Sequence, residues 1–329
     1  MKIGIISFAH MHAITYANYV QQHPNAELSY IWDEDEKRGK EMATKFHCVY
    51  ISDIQSFLKT DIEAVIICSE NAKHKEHVVY AAEANKHILC EKPLATEISD
   101  AKAMIQACEQ AGVILQVAYP VRFAPAVAKA KEIIDQGDIG EVIAISGTNH
   151  GQMPGGWFIE KDLSGGGAAT DHIVHIMDVI RWILKDEVKN VYAEFDTRFY
   201  DIDVEDCGIV TLELKSGVIV SIDPSWSRPK TFPTWGDVTI RFIGTKGNLY
   251  VDAFKQHATY FNDHDGKIQH LPLAEDMDEK LINDFISCVQ EQREPSITGL
   301  DGLRTLEVVK AAYESNRKKQ VVRLETTCS

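Results

Sequence analysis

Residues 63–68 read Glu63-Ala64-Val65-Ile66-Ile67-Cys68, an apolar run too short for a helix and too uniform to leave one face in water. Such a run suits a strand covered on both sides, as in a parallel sheet flanked by helices. Working outward, Lys2–Ile6, Glu27–Trp32, His87–Cys90 and Val113–Val117 are further candidate strands, separated by longer amphipathic stretches. In the last of those stretches Ile98, Ala101, Ile105 and Cys108 recur at helical spacing, and Gly112 stands where a helix C-cap is expected. The alternation predicts a doubly wound α/β domain with a parallel sheet over residues 1–120.

Tyr119-Pro120 interrupts this pattern, and a different one follows. Pro125–Gln136 and residues 171–184 read as helices. Glu141–Thr148, Val188–Phe195, Gly208–Leu214, Val218–Asp223, Asp237–Gly244 and Asn248–Asp252 read as strands, some joined by short turns. Helices around Asp278–Glu291 and Leu303–Asn316 close the chain. The expectation is a second, α+β domain over 121–329, built on a large, mostly antiparallel sheet.

A length of 329 residues accommodates two such domains. Lys plus Arg number 34 against 49 Asp plus Glu, and the resulting charge of −15 opposes binding to nucleic acid or to an anionic membrane. The chain contains no apolar run long enough for a membrane span, and Met1–Ile6 is too short for the core of a signal peptide, so a cytoplasmic protein is expected. Cys48, Cys68, Cys90, Cys108, Cys207, Cys288 and Cys328 are scattered singly, which favours reduced, mostly buried thiols over a disulfide framework or zinc ribbon.

In an open parallel sheet, ligands bind beyond the carboxyl ends of the strands. The segments there are Ser7-Phe8-Ala9-His10-Met11-His12, Asp33-Glu34-Asp35, Ser69-Glu70-Asn71-Ala72-Lys73-His74, Glu91-Lys92-Pro93 and Tyr119. Asp33 could accept hydrogen bonds from the adenosine ribose of NAD and repel the 2′-phosphate of NADP; it could equally be a solvated turn residue. The dinucleotide fingerprint G-x-G-x-x-G is replaced by Ser7, Ala9 and His12, small enough at the first two positions for a pyrophosphate to approach. Lys92 could hydrogen-bond a substrate hydroxyl and favour a developing alkoxide, although Glu-Lys-Pro is also ordinary loop composition.

The second domain carries the sharpest signal. Ser164-Gly165-Gly166-Gly167 precedes a helical stretch in which Ile173, Ile176, Met177, Ile180, Ile183 and Leu184 share one side, with Asp171, His175, Asp178 and Trp182 opposite. If the polar side lines a cleft, His175 is a candidate general base and Asp171, one turn earlier, a candidate to orient it; the other reading is a contact between domains.

Taken together, the strand-end loop Ile67–His74, Glu91-Lys92-Pro93, Tyr119-Pro120-Val121-Arg122-Phe123, the glycine run with Asp171, His175 and Asp178, and the ending from Gly302 to Ser315 resemble the glucose-fructose oxidoreductase and inositol dehydrogenase family, Gfo/Idh/MocA, nearly end to end. The resemblance implies a Rossmann domain for a nicotinamide cofactor and a second domain whose open sheet packs on another subunit, giving a homodimer or homotetramer. It implies hydride transfer to or from a sugar, cyclitol or related polyol, with Lys92 as hydroxyl-binding cation, Asp171 as orienting carboxylate and His175 as acid/base. Cofactor contacts are expected from Ser7, Phe8, Ala9, His10, His12, Asp33, Ser69, Asn71, His74, Glu91 and Lys92. Substrate contacts are expected from Tyr119, Arg122, Trp157, Asp171, His172 and His175, and a cis peptide at Lys92-Pro93. The departure is the glycine-free loop at Ser7–His12.

Other readings are a non-catalytic nucleotide-binding scaffold, an NAD-assisted glycosidase, and a metal-dependent hydrolase in which His10-x-His12 joins His172, His175, Asp171 and Asp178. No metal is expected, because the strand before His10 opens a doubly wound domain; His10 and His12 are instead expected beside the cofactor phosphates.

Overall fold

The computed structural model describes residues 1–255, 257–262, 267–272 and 276–324. Cys328 lies outside them. The first half alternates strand and helix: β1 (Lys2–Ile6), α1 (His12–Gln22), β2 (Glu27–Trp32), α2 (Glu36–Lys45), β3 (Val49–Tyr50), α3 (Ile54–Leu58), β4 (Ala64–Ile67), α4 (His74–Glu83), β5 (His87–Cys90), α5 (Ile98–Ala111) and β6 (Leu115–Val117). The strands form one parallel sheet in the order β3-β2-β1-β4-β5-β6, so the order reverses between β1 and β4. Ile3, Ile5, Val65, Ile66, Ile88 and Leu89 are fully buried, which is why these strands show no polar alternation. Gly112 caps α5 with φ of +67°, a left-handed conformation that glycine adopts without steric cost.

The second half runs α6 (Pro125–Asp135), β7 (Val142–Thr148), α7 (Lys161–Ser164), α8 (Ala168–Leu184), β8 (Val188–Asp196), β9 (Cys207–Leu214), β10 (Ile219–Asp223), β11 (Thr239–Gly244), β12 (Asn248–Asp252), β13 (His257–Asn262), β14 (Lys267–Pro272), α9 (Met277–Glu291), α10 (Gly299–Lys318) and β15 (Val322–Arg323). Seven strands make a mixed sheet, β12-β11-β7-β10-β9-β8-β15, antiparallel except at β10–β7; β13 and β14 pair separately. Alternation decides its two faces. Val210, Leu212, Val220 and Ile240 point to the buried side, where α8 lies so close that a Cβ on Gly147 would stand 2.8 Å from Ile176 Cγ2. Tyr192, Ile209, Ile219 and Tyr250 share the opposite face by register and are exposed.

The last helices return to the first half. Gln116 bridges Thr298 in antiparallel fashion beside β6, and the Val117 N–H donates to Ile297 O at 3.2 Å. Thr298 and Asp301 form a capping box that starts α10, while α9 packs against α1 and the turn at Pro120–Phe123.

Candidate active site

A cavity of about 420 Å³ lies between the loop after β1, the loop after β5 and the first turns of α8, bordered also by Asn149, Trp235 and the start of α9. Local chain geometry places its polar side chains. The Lys92-Pro93 peptide is cis, as the resemblance implied. Gly165 to Gly167 bring the start of α8 against its neighbours: a Cβ on Gly167 would sit 2.0 Å from Glu205 O, and one on Gly166 equally close to Tyr313 Oη. Glu205 then caps the helix, its Oε1 accepting the N–H groups of Gly167 at 2.9 Å and Ala169 at 3.0 Å.

Lys92 Nζ donates to Asp171 Oδ1 and, at 3.3 Å, to the Asp171 carbonyl. Asp171 Oδ2 accepts from Trp226 Nε1 at 3.2 Å and lies 3.2 Å from His172 Nε2. Burial would raise this carboxyl, but Lys92 and His172 hold it well below the usual carboxylate range. His172 is fixed by its Nδ1–H to Pro224 O at 2.7 Å. The expected Asp171–His175 pair does not form, because Asp171 is spent on Lys92 and Trp226. His175 Nδ1 is buried without a partner, and the ring packs edge-on to Tyr119 with centroids 6.0 Å apart. Burial, and then the Lys92 charge, push its pKa well below 6.5, so it is neutral at pH 7.

Around the loop after β1, Ser7 takes φ of +69°, the left-handed conformation a fingerprint glycine would supply, and its Oγ accepts the Ala9 N–H at 3.1 Å. Ala9 O accepts from Trp157 Nε1 at 3.1 Å, tying the 156–159 turn to this loop. His10 and His12 line the cavity, with His12 Nδ1 2.9 Å from Glu91 Oε1. Burial lowers His10 to about 3. For His12 burial pulls down too, but Glu91 outweighs it and the net shift is upward. Burial would raise the Glu91 carboxyl, which the two histidines and Lys92 hold down.

Asp33 ends β2 fully enclosed, accepting the Phe8 N–H at 2.7 Å and a two-pronged contact from Arg38 at 2.8 and 2.6 Å. The carboxylate is therefore a loop-holding group, not the solvated turn residue of the alternative reading. Asn71 Nδ2 donates to Ser164 O at 2.8 Å, leaving its Oδ1 unpartnered.

Several expected contacts are turned elsewhere. The Phe8 ring stacks on Phe46 in the core, with centroids 5.9 Å apart. Ser69 Oγ bonds His77 Nδ1 at 2.9 Å, and His74 is wedged between Pro93 O and Ser69 O at 3.0 and 3.1 Å. Tyr119 bonds Thr305 at 2.7 Å, and Arg122 grips Asp178 at 2.7 and 2.6 Å; neither lines the cavity, although Pro120 and Val121 between them do. Burial of an apolar or ionic side chain next to a site leaves the same sequence trace as a ligand contact. Sequence reasoning missed Thr15, Asn149, Trp235 and Asp278, all on the cavity. Only Asn149 carried a signal, by directly following a predicted strand.

Residues 1–119 match the family model described as oxidoreductase family, NAD-binding Rossmann fold, and residues 127–250 match the GFO/IDH/MocA C-terminal domain. The 1,5-anhydro-D-fructose reductase of Ensifer adhaerens is 30% identical over 275 residues, 81% of each chain. The chain belongs to the GFO/IDH/MocA oxidoreductase family. The myo-inositol 2-dehydrogenase of Thermotoga maritima is 29% identical over 339 aligned positions, 99% of both proteins. The crystal structure of GenD2 from gentamicin A biosynthesis in complex with NAD shares the fold, with a TM-score of 0.90 at 23% identity over 99% of this chain and 97% of that one. As a GFO/IDH/MocA protein the chain is an NAD(P)-dependent oxidoreductase acting on CH–OH groups. Its residues fit such a cofactor despite the missing glycines: the strand order reverses beside the β1 loop, and Ser7 reproduces the glycine conformation there.

Proposed function

We propose that the chain transfers hydride between NAD and a secondary alcohol or carbonyl of a sugar, cyclitol or related polyol bound in the cavity. The observation that carries this reading is the convergence of Lys92, Asp171, His172 and His175 on one cavity beside the Rossmann strand ends. The bound nicotinamide supplies the hydride acceptor or donor. Lys92, its ammonium held by Asp171, hydrogen-bonds the reacting hydroxyl and favours its alkoxide character. His175, neutral near pH 7, takes the hydroxyl proton during oxidation and returns it during reduction. Asn149 Oδ1, buried and unpartnered, accepts from a second hydroxyl. Ser7, Ala9, Asn71, Glu91 and Lys92 border the cofactor, with Asp33 holding the loop nearest the ribose.

NAD is the preferred form, since Glu34 and Asp35 add negative charge beside Asp33. Arg38 works in the opposite sense, which leaves NADP as the second cofactor to test. The exposed face bearing Tyr192, Ile209, Ile219 and Tyr250 suits association of copies into a dimer or tetramer. Among the described residues no helix is long and apolar enough to cross a membrane; a cytoplasmic enzyme fits the charge and thiol content. The test is a panel of polyols, cyclitols and aldoses with NAD and with NADP, followed by the absorbance of the reduced cofactor. Turnover of at least one cyclitol or sugar is expected, and no cofactor reduction or oxidation across the panel rejects the reading.

A further inference from the structure

The same end of the cavity holds a second set of side chains. His10 and His12 leave the loop after β1 with ring centroids 4.4 Å apart, and Glu91 at the end of β5 meets both. Glu91 Oε1 is 2.9 Å from His12 Nδ1 and 3.7 Å from His10 Nδ1, and one donor atom from each residue falls within 4.8 Å of the others. Donors around a tetrahedral ion with bonds of ~2.0–2.1 Å are about 3.3 Å apart, so small side-chain rotations suffice. The backbone supports the set: the Lys92 N–H holds Glu91 Oε2 at 3.0 Å, leaving Oε1 turned to the histidines. From the start of α9, Asp278 reaches the same cavity, and its Oδ1 is buried with no hydrogen-bond partner.

We propose that His10, His12 and Glu91 form a binding site for a divalent first-row transition ion such as Zn²⁺, at the seam between the β1 loop and α9, with the Asp278 carboxylate bordering the same cavity and adding favourable charge. Two imidazoles and a carboxylate are a donor set that such ions take, with remaining positions open toward the cavity. Charge agrees: Glu91, Asp171 and Asp278 bring three carboxylates to this region, and Lys92, in direct contact with Asp171 and acting on Glu91 through space, is one ammonium among them. The competing arrangement pairs a protonated His12 with Glu91 and lets His10 Nδ1 accept the His12 backbone N–H at 3.2 Å, so a bound ion has to displace that contact or take His10 through Nε2; it leaves Asp278 Oδ1 unpaired. The site departs from the expectation drawn from the sequence, in which no metal binds and His10 and His12 stand beside the cofactor phosphates; of the wider set that a hydrolase would need, Asp178 is bound to Arg122.

The site does not depend on the oxidoreductase assignment, and its test reads binding, not turnover. The full chain, stripped with a chelator, is titrated with Zn²⁺ by calorimetry and with Co²⁺ by visible absorption. One equivalent is expected, with the intense visible bands of low-coordinate Co²⁺. His12→Ala and Glu91→Gln should each weaken uptake at least about 100-fold, and Asp278→Asn about tenfold. Cys48→Ser and Cys207→Ser should leave it unchanged. Circular dichroism confirms that each variant is folded, and His10→Asn replaces any that is not. Absence of stoichiometric uptake, uptake that survives loss of both histidines, or uptake lost with the thiols overturns the proposal.

Discussion

Lys92 and Asp171 lie 79 residues apart and join the end of β5 to the first turn of α8 through a buried ammonium–carboxylate contact. The pair orients the ammonium proposed to meet the reacting hydroxyl, and with the Asn71–Ser164 and Trp157–Ala9 hydrogen bonds it is one of the contacts that join the two halves. Lys92→Ala should lower kcat/KM by roughly 10²–10³-fold, and Asp171→Asn by a similar amount because it releases the ammonium. Their effects should be non-additive, since the two groups act as a unit. Steady-state kinetics on the two single variants and the double variant measure the coupling; simple additivity contradicts it.

His175→Ala should reduce kcat by roughly 10²–10⁴-fold with NAD affinity nearly unchanged, because the imidazole handles a proton in the transition state. Burial and the neighbouring Lys92 hold its pKa below 6.5, so the acid limb of the oxidative pH–rate profile should fall below pH 6.5. A limb above that value, or near-normal turnover in the variant, removes His175 from the proton path.

NAD should bind more tightly than NADP. Asp33→Ser should narrow the difference by roughly tenfold by removing a like charge, and Arg38→Ala should weaken NADP more than NAD. Calorimetric titration of both cofactors against the three proteins decides; tighter NADP binding by the unaltered chain reverses the assignment.

Arg122 should prove a stability residue. It grips Asp178 in a fully buried pair, and burial still pushes that carboxyl up to about 6. Arg122→Leu strands the carboxylate and should cost about 3–5 kcal/mol, while Arg122→Leu with Asp178→Leu should recover most of the loss. Urea denaturation gives the stabilities, and KM should move far less than they do.

His77 supplies a pH dependence. Burial lowers its pKa from 6.5 to about 4, so between those values the unfolded chain holds a proton that the native chain does not. Stability therefore falls as pH drops from 6.5 toward 4, by about 2 kcal/mol at pH 5 from this group. In His77→Gln that part of the loss between pH 7 and pH 5 should disappear, as read by denaturant unfolding at the two values.

Much of this architecture was visible in the chain because burial and alternation leave direct marks. The runs at Lys2–Ile6 and His87–Cys90 are strands to the residue, and Gly112 caps α5 where helical spacing stopped. Val49–Tyr50 escaped because two residues cannot display a period. At the site, Lys92, Asp171 and His175 were legible by residue type and place, but their pairing was not. Helical spacing alone put Asp171 next to His175, whereas the partner that claims it comes from another sheet. The glycine run raised a similar ambiguity: it announces a close approach, and only the fold reveals that Glu205 and Tyr313 make it.

The return of Ile297 and Thr298 to β6 also bears on how the protein is made. About 180 residues separate Gln116 from Thr298, so at ~5–20 residues per second the last strand of the first sheet waits roughly 10–40 s on the ribosome for its cover. During that interval β6 is a bare edge able to pair with a neighbouring nascent chain. A chain cut short before residue 297 keeps that edge for good, which makes premature termination a route to aggregation even when the whole first sheet has been synthesised.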